Sequence, residues 1–204
     1  MTAVQTSCNW ISPEEYLEGE RRSEIRHEYV YGCVYAMAGA SDDHNRIAGN
    51  IFGELRERLR GRKCEAFIND MKAKVLPTSD VYYYPDVMVV CDSADNAKYF
   101  RERPTVVVEV ISPDTERTDR REKALAYRDI PSVQSYVIVE QDRIEMTILR
   151  RTEVGWKTET LQGRNEILRL PEIGVEIPLE RIYERTAAAS SANAQEALAA
   201  QDQN

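Results

Sequence analysis

Val106-Val107-Val108-Glu109-Val110-Ile111 constrains this chain more than any other string in it. This run reads as an otherwise continuous apolar strand. Its one interruption is a carboxylate. Burying an ionised carboxylate unpaired costs several kcal/mol, so Glu109 has to meet a cation or several donors. Upstream, Asp86 stands at the head of a second apolar strand, Val87-Met88-Val89-Val90. Two such acids on neighbouring strands make a site for a hard divalent cation, which prefers carboxylate oxygens. The plainer reading pairs each acid with an arginine or with a strand end.

The surrounding pattern is that of an α/β or α+β single domain. Ser12-Pro13-Glu14-Glu15 carries an N-cap, a first-turn proline and a capping-box acid, so a short helix opens there and ends at Gly19. Residues 25–31 and 33–37 read as a hairpin around Gly32. Ile47, Ile51, Leu55 and Leu59 recur every four residues, which predicts a long helix over 41–60 that stops at Gly61. Strands are expected at 64–69, 71–76, 86–90 and 105–111, with a polar connection at 92–103. A second helix follows at 118–128, then strands at 135–140, 144–149 and 156–161 and a closing turn at 178–184. Residues 1–11 are an N-terminal extension. Beyond 185 the chain turns to Ala, Ser, Gln and Asn, which reads as a disordered or weakly helical tail over 186–204.

Composition narrows the class. With 42% apolar and 30% charged residues the chain is globular, and no run is long enough to span a bilayer. Residues 1–10 lack the basic and apolar regions of a secretory signal, so the default compartment is the cytoplasm. Cys8, Cys33, Cys64 and Cys91 are scattered without CxxC spacing, and are expected to be free thiols or small core residues. A net charge of −8 excludes a non-specific nucleic-acid coat but not a nuclease, because charge acts locally. Arg56, Arg58, Arg60, Arg62 and Lys63 form a basic cluster, most simply a solvated helix face.

The helix after Glu109 supplies a third element. Asp119, Lys123 and Tyr127 fall at i, i+4 and i+8 along one face. A lysine beside two acids neutralises them and, as a point charge, can hold a phosphate or orient a water.

Taken in order, Tyr84-Pro85-Asp86-Val87, Val108-Glu109-Val110-Ile111-Ser112-Pro113, and Thr118-Asp119 through Lys123 to Tyr127 resemble a large bacterial family, the Uma-type "putative restriction endonucleases" of the PD-(D/E)xK nuclease superfamily. Arg26-His27-Glu28-Tyr29-Val30-Tyr31-Gly32, His44 and Ser135-Tyr136-Val137-Ile138-Val139 look like the same family. The resemblance runs over residues 12–184. It implies a restriction-endonuclease-like fold, a central mixed β-sheet flanked by helices. The superfamily lysine lies two residues after the acid, on the same side of the strand. Here that position is Ile111, and the resemblance implies that Lys123, on the next helix, is the migrated lysine. If Lys123 points elsewhere, a degenerate nuclease fold is the better reading. The likeness also places Glu28 in the cleft, where it would hold a second cation or a water; an exposed strand acid is the simpler alternative. His44, Asp70, Lys72, Asp119 and Tyr127 are accessory candidates.

The function so implied is that of a magnesium-dependent endonuclease acting on DNA, with manganese able to substitute. Asp86, Glu109 and the Val110 carbonyl would hold the cation, which neutralises phosphate charge and acidifies water. Lys123 would steady the transition state. A homodimer is expected, since twofold symmetry matches that of a duplex. Two other classes stay open: a nuclease-fold binding module that does not cut, and a hydrolase of smaller phosphate esters.

Overall fold

The computed structural model describes residues 9–75, 80–112 and 118–192. In chain order they form α1 (Pro13–Glu20), β1 (His27–Val30), β2 (Cys33–Ala36), α2 (Asp42–Arg58), β3 (Glu65–Ile68), β4 (Lys72–Val75), β5 (Val81–Tyr83), β6 (Val87–Val90), β7 (Phe100–Arg101) and β8 (Pro104–Ile111). A π-helical turn, Thr118–Lys123, runs into α3 (Ala124–Asp129). Then come β9 (Ser135–Glu140), β10 (Glu145–Thr152), β11 (Gly155–Gln162), β12 (Ile167–Leu170), β13 (Val175–Pro178) and α4 (Leu179–Ile182).

Local chemistry sets the early elements. The Ser12 hydroxyl accepts from the Glu15 N–H at 3.2 Å and the Glu15 carboxylate accepts from the Ser12 N–H at 2.8 Å, a complete capping box on α1. Tyr31 and Gly32 both take left-handed backbone angles in the two-residue turn between β1 and β2. Only glycine fits second, because a Cβ there would lie 2.0 Å from the Trp10 ring. Ser41 caps α2, and Ile47, Ala48, Ile51 and Leu55 bury one stripe of it.

Six strands form the main sheet, in the order β11-β10-β9-β8-β6-β3, with only β8 and β9 parallel. Five more form a smaller sheet, β2-β1-β5-β4-β7, and β12 pairs with β13. Strand alternation divides β8 between two cores. Val106, Val108 and Val110 join Val87, Val89 and the α2 stripe in one. Val107 and Ile111 join Met88, Tyr127 and Tyr136 in the other, which also takes Ala73, Val75, Val81 and Tyr83 from the small sheet. Since β8 and β9 are parallel, the chain must cross over between them, and the π turn with α3 is that crossover. It lies over the face to which odd-numbered β8 residues point. On the far face of the small sheet, Tyr29 and Tyr82 pack against Tyr16 of α1.

Several expectations need correction. Cys64 and Cys91 are joined by a disulfide rather than standing as thiols, and among the described residues no cysteine is free. The cause is register: β3 pairs antiparallel with β6, Glu65 opposite Val90, so the next pair outward is Cys64 and Cys91. Nor is the start of the tail loose. Residues 187–192 are helical, Thr186 and Ala188 are buried, and the Ala187 N–H donates to Asp43 at 3.1 Å. Residues 193–204 lie outside the described residues, as does Cys8. The expected helix over 118–128 begins as a π turn, and β5, β7, β12 and β13 were not anticipated. No described helix is long and apolar enough to cross a membrane.

Candidate active site

The register of β6 on β8 pairs Val87 with Val108, and one further step sets Asp86 opposite Glu109. Glu109 points to the α3 side and is 3% exposed. Asp86 sits at the end of its strand, where its Oδ2 accepts the Val110 N–H at 2.7 Å. The same oxygen lies 3.3 Å from Nε2 of His44, in the first turn of α2. Burial alone would lower the imidazole pKa. Its hydrogen bond to Asp86, the Asp86 charge and the Val110 backbone outweigh burial and hold it above its ordinary value.

The crossover brings the amine. Lys123 Nζ stands 3.2 Å from Glu109 Oε1, 2.9 Å from Glu28 Oε1 and 3.3 Å from Asp119 Oδ1. Tyr127, one turn further, donates its hydroxyl to Glu109 Oε1 at 2.9 Å. The Tyr83 ring centroid lies 5.5 Å from the amine, and Tyr83 meets the Tyr127 ring edge-on. Asp119 Oδ1 is buried without a hydrogen bond, although it is within ion-pair distance of Lys123. Tyr136 donates to the Asp119 carbonyl at 3.0 Å and so fixes the turn that carries it.

Electrostatics follow from three acids around one ammonium, with Asp86 near Glu109. Burial drives the Glu109 pKa well above the carboxylate range; Lys123 opposes this, while Asp119, Asp86 and Glu28 add to it. Burial would lower the Lys123 pKa, but Glu109, Glu28 and Asp119 together push it well above the ordinary lysine value, so it stays an ammonium. Tyr127 is likewise raised, first by burial and then by Glu109, and remains a donor.

Asp86, Glu109, Lys123, Glu28, Asp119, Tyr127 and His44 thus converge, with the Val110 backbone among them. Asp70 and Lys72 do not. Asp70 is exposed and paired with Arg26 at 3.1 Å. Lys72 faces away: Ala73 and Val75 of β4 fill the shared core, so the lysine projects from the opposite face. There it donates to the Tyr84 hydroxyl at 2.9 Å, and Tyr84 donates to Glu20 at 3.0 Å. Glu20 also accepts from the His27 N–H at 2.9 Å. This buried network braces the residue two before Asp86. Tyr83 and Glu20 were not singled out in the sequence, and Tyr84 and Tyr136 entered only as members of the quoted strings, without a role of their own.

Among the described residues no three His, Cys, Asp or Glu side chains already converge as a ligand cage. The donor set nevertheless suits a hard divalent ion, because hard carboxylate oxygens outnumber the local cations. Magnesium commonly takes one or two carboxylates and completes its shell with water and substrate oxygens.

The chain is similar to known proteins along most of its length. The model of the Uma2 family, described as "Putative restriction endonuclease", matches residues 13–180. Two Synechocystis sp. proteins, both named as uncharacterized, are similar along most of their length. One, slr1290, is 35% identical over 85% of this chain and 91% of its own. The other, sll1609, is 32% identical over 79% and 93%. The crystal structure of a "putative nuclease belonging to DUF820" from Anabaena variabilis ATCC 29413 superposes with a TM-score of 0.69 at 16% identity, covering 85% of this chain and 97% of that one. The fold is the restriction-endonuclease-like one, a mixed sheet flanked by helices.

Proposed function

This chain belongs to the Uma2 family of "putative restriction endonucleases", and on that premise we propose that it is a metal-dependent endonuclease hydrolysing DNA phosphodiester bonds. The observation that carries the reading is the amine of Lys123, 3.2 Å from Glu109 and delivered from the crossover although Ile111 fills the strand position. Asp86, Glu109 and the Val110 carbonyl would hold magnesium, with manganese as a substitute. When bound, the ion supplies charge neutralisation at the phosphate and acidification of a water.

The chain's own residues do the rest. Val110 and His44 fix Asp86 through one oxygen. Tyr127 fixes Glu109. Lys123 presents a permanent positive charge beside Glu109, where it orients the attacking water or offsets the charge that builds on the phosphate in the transition state. Glu28 and Asp119 hold the ammonium in place. A cytoplasmic homodimer with one site per strand of a duplex is the arrangement this chemistry suggests.

Supercoiled plasmid provides the test. Nicking is expected with magnesium or manganese and none with chelator, and it should vanish in Asp86→Asn. Lys123→Ala removes a group of a kind worth about 2–4 kcal/mol of barrier, so cleavage should slow about thirty- to a thousandfold. Failure of the wild type to cut any form of DNA with any divalent metal would overturn the reading in favour of a non-cutting binding module.

A further inference from the structure

Glu28 and Asp119 are carboxylates that the proposed cation does not use, and what they surround is an amine. Nζ of Lys123 is 2.9, 3.2 and 3.3 Å from oxygens of Glu28, Glu109 and Asp119. These oxygens come from three separate elements: β1, β8 and the crossover turn. All three acids are thus held within ion-pair reach of one amine, and Glu109 belongs both to this set and to the pair with Asp86. Asp119 Oδ1 shows the same character. It is buried, makes no hydrogen bond, and faces the ammonium through charge alone.

We propose that Lys123 is the built-in second cation of the site: its ammonium fills the place between Glu28, Glu109 and Asp119 that a second divalent ion would otherwise take, so the wild-type chain loads one divalent ion and not two. Charge supports this. One divalent ion and the ammonium bring three positive charges to four carboxylates, which leaves the site nearly neutral. A second divalent ion beside the ammonium would bring five and set two cations against each other in a buried setting, where repulsion is poorly screened. The aromatic wall of Tyr83, its ring centroid 5.5 Å from Nζ, offers the amine a cation-binding ring face. Glu28 is thereby assigned to holding the lysine rather than to a second metal. The inference rests on the reading of Asp86 and Glu109 as a cation site.

Manganese stoichiometry measured on the full chain by calorimetry and by electron paramagnetic resonance tests it without any reference to cleavage. Wild type should bind one Mn2+ per chain. Lys123→Ala should bind two, with the spin–spin broadening of neighbouring ions, and its manganese-induced rise in melting temperature should exceed that of the wild type. Lys123→Ala with Glu28→Gln should return to one. If the alanine variant folds poorly in chelator, manganese should rescue it, and metal analysis after gel filtration should still find two ions. Two ions in the wild type, or one in a folded or rescued Lys123→Ala protein, would overturn the inference and leave the cation reading standing. So would an alanine variant that manganese fails to rescue. No binding by the wild type would defeat the cation reading, and the inference with it.

Discussion

His44 reports on the state of Asp86. The chain has two histidines, so its imidazole can be followed individually by NMR. Its pKa should lie above the ordinary 6.5, because Asp86 outweighs burial. In Asp86→Asn only the Val110 backbone and the Asp119 charge still oppose burial, so the pKa should fall; an unchanged titration would show that Asp86 is not its partner. The linkage has a definite sign. A histidine whose folded pKa is raised adds stability that is fully present below pH 6.5 and disappears as pH climbs through the folded value. Tyr127→Phe tests the other acid. It deletes the hydroxyl that donates to buried Glu109, so urea unfolding should show a loss of about 1–3 kcal/mol. At this scale the sequence was readable where an acid interrupted an apolar strand, as at Glu109. It was unreadable for Tyr84, Glu20 and Lys72, whose partnership exists only after β1, β4 and β5 have paired.

Among elements, long periodic segments declared themselves and short ones did not. The four-residue recurrence in α2 and the apolar run of β8 carry their own signal, whereas β7 has two residues and is held by pairing with β4. The π turn was likewise hidden, since the i, i+4 spacing of Asp119 and Lys123 looks the same in an ordinary helix. The pairing of Cys64 with Cys91 is an element-level fact too, made by the register of β3 on β6 and invisible in the spacing of the cysteines. The bond closes a 27-residue separation, and a loop of that length is worth about 3.5 kcal/mol in the chain-entropy model. Reduction, or replacement of both cysteines by alanine, should lower the denaturant midpoint accordingly. An unchanged midpoint would mean that strand pairing alone holds the two ends.

For the whole molecule, packing runs past residue 185 into the helical start of the tail. Thr186 and Ala188 are buried against the core that α2 serves, Arg46 donates to the Arg185 carbonyl at 2.7 Å, and Asn50 donates to the Ile182 carbonyl at 2.9 Å. Small residues such as alanine give no periodic apolar signal, yet they are what a close helix contact requires. Ending the chain after Arg185 should therefore cost about 1–2 kcal/mol, by the apolar area re-exposed, and lower the melting temperature by several degrees. A truncated chain as stable as the full one would show that the contacts of Thr186, Ala187 and Ala188 contribute nothing.

Lys123 touches Glu28 on the small sheet, Glu109 on the main sheet and Asp119 on the crossover between two strands of that main sheet. It is thus a fastener as well as a reagent, and the two sheets lose a clasp when it is cut. Hydrogen exchange at the amides of β1 and β5 should speed up in Lys123→Ala while β10 and β11 stay as protected as before. A dead variant at this position therefore says nothing about chemistry until the seam between the sheets has been shown to hold.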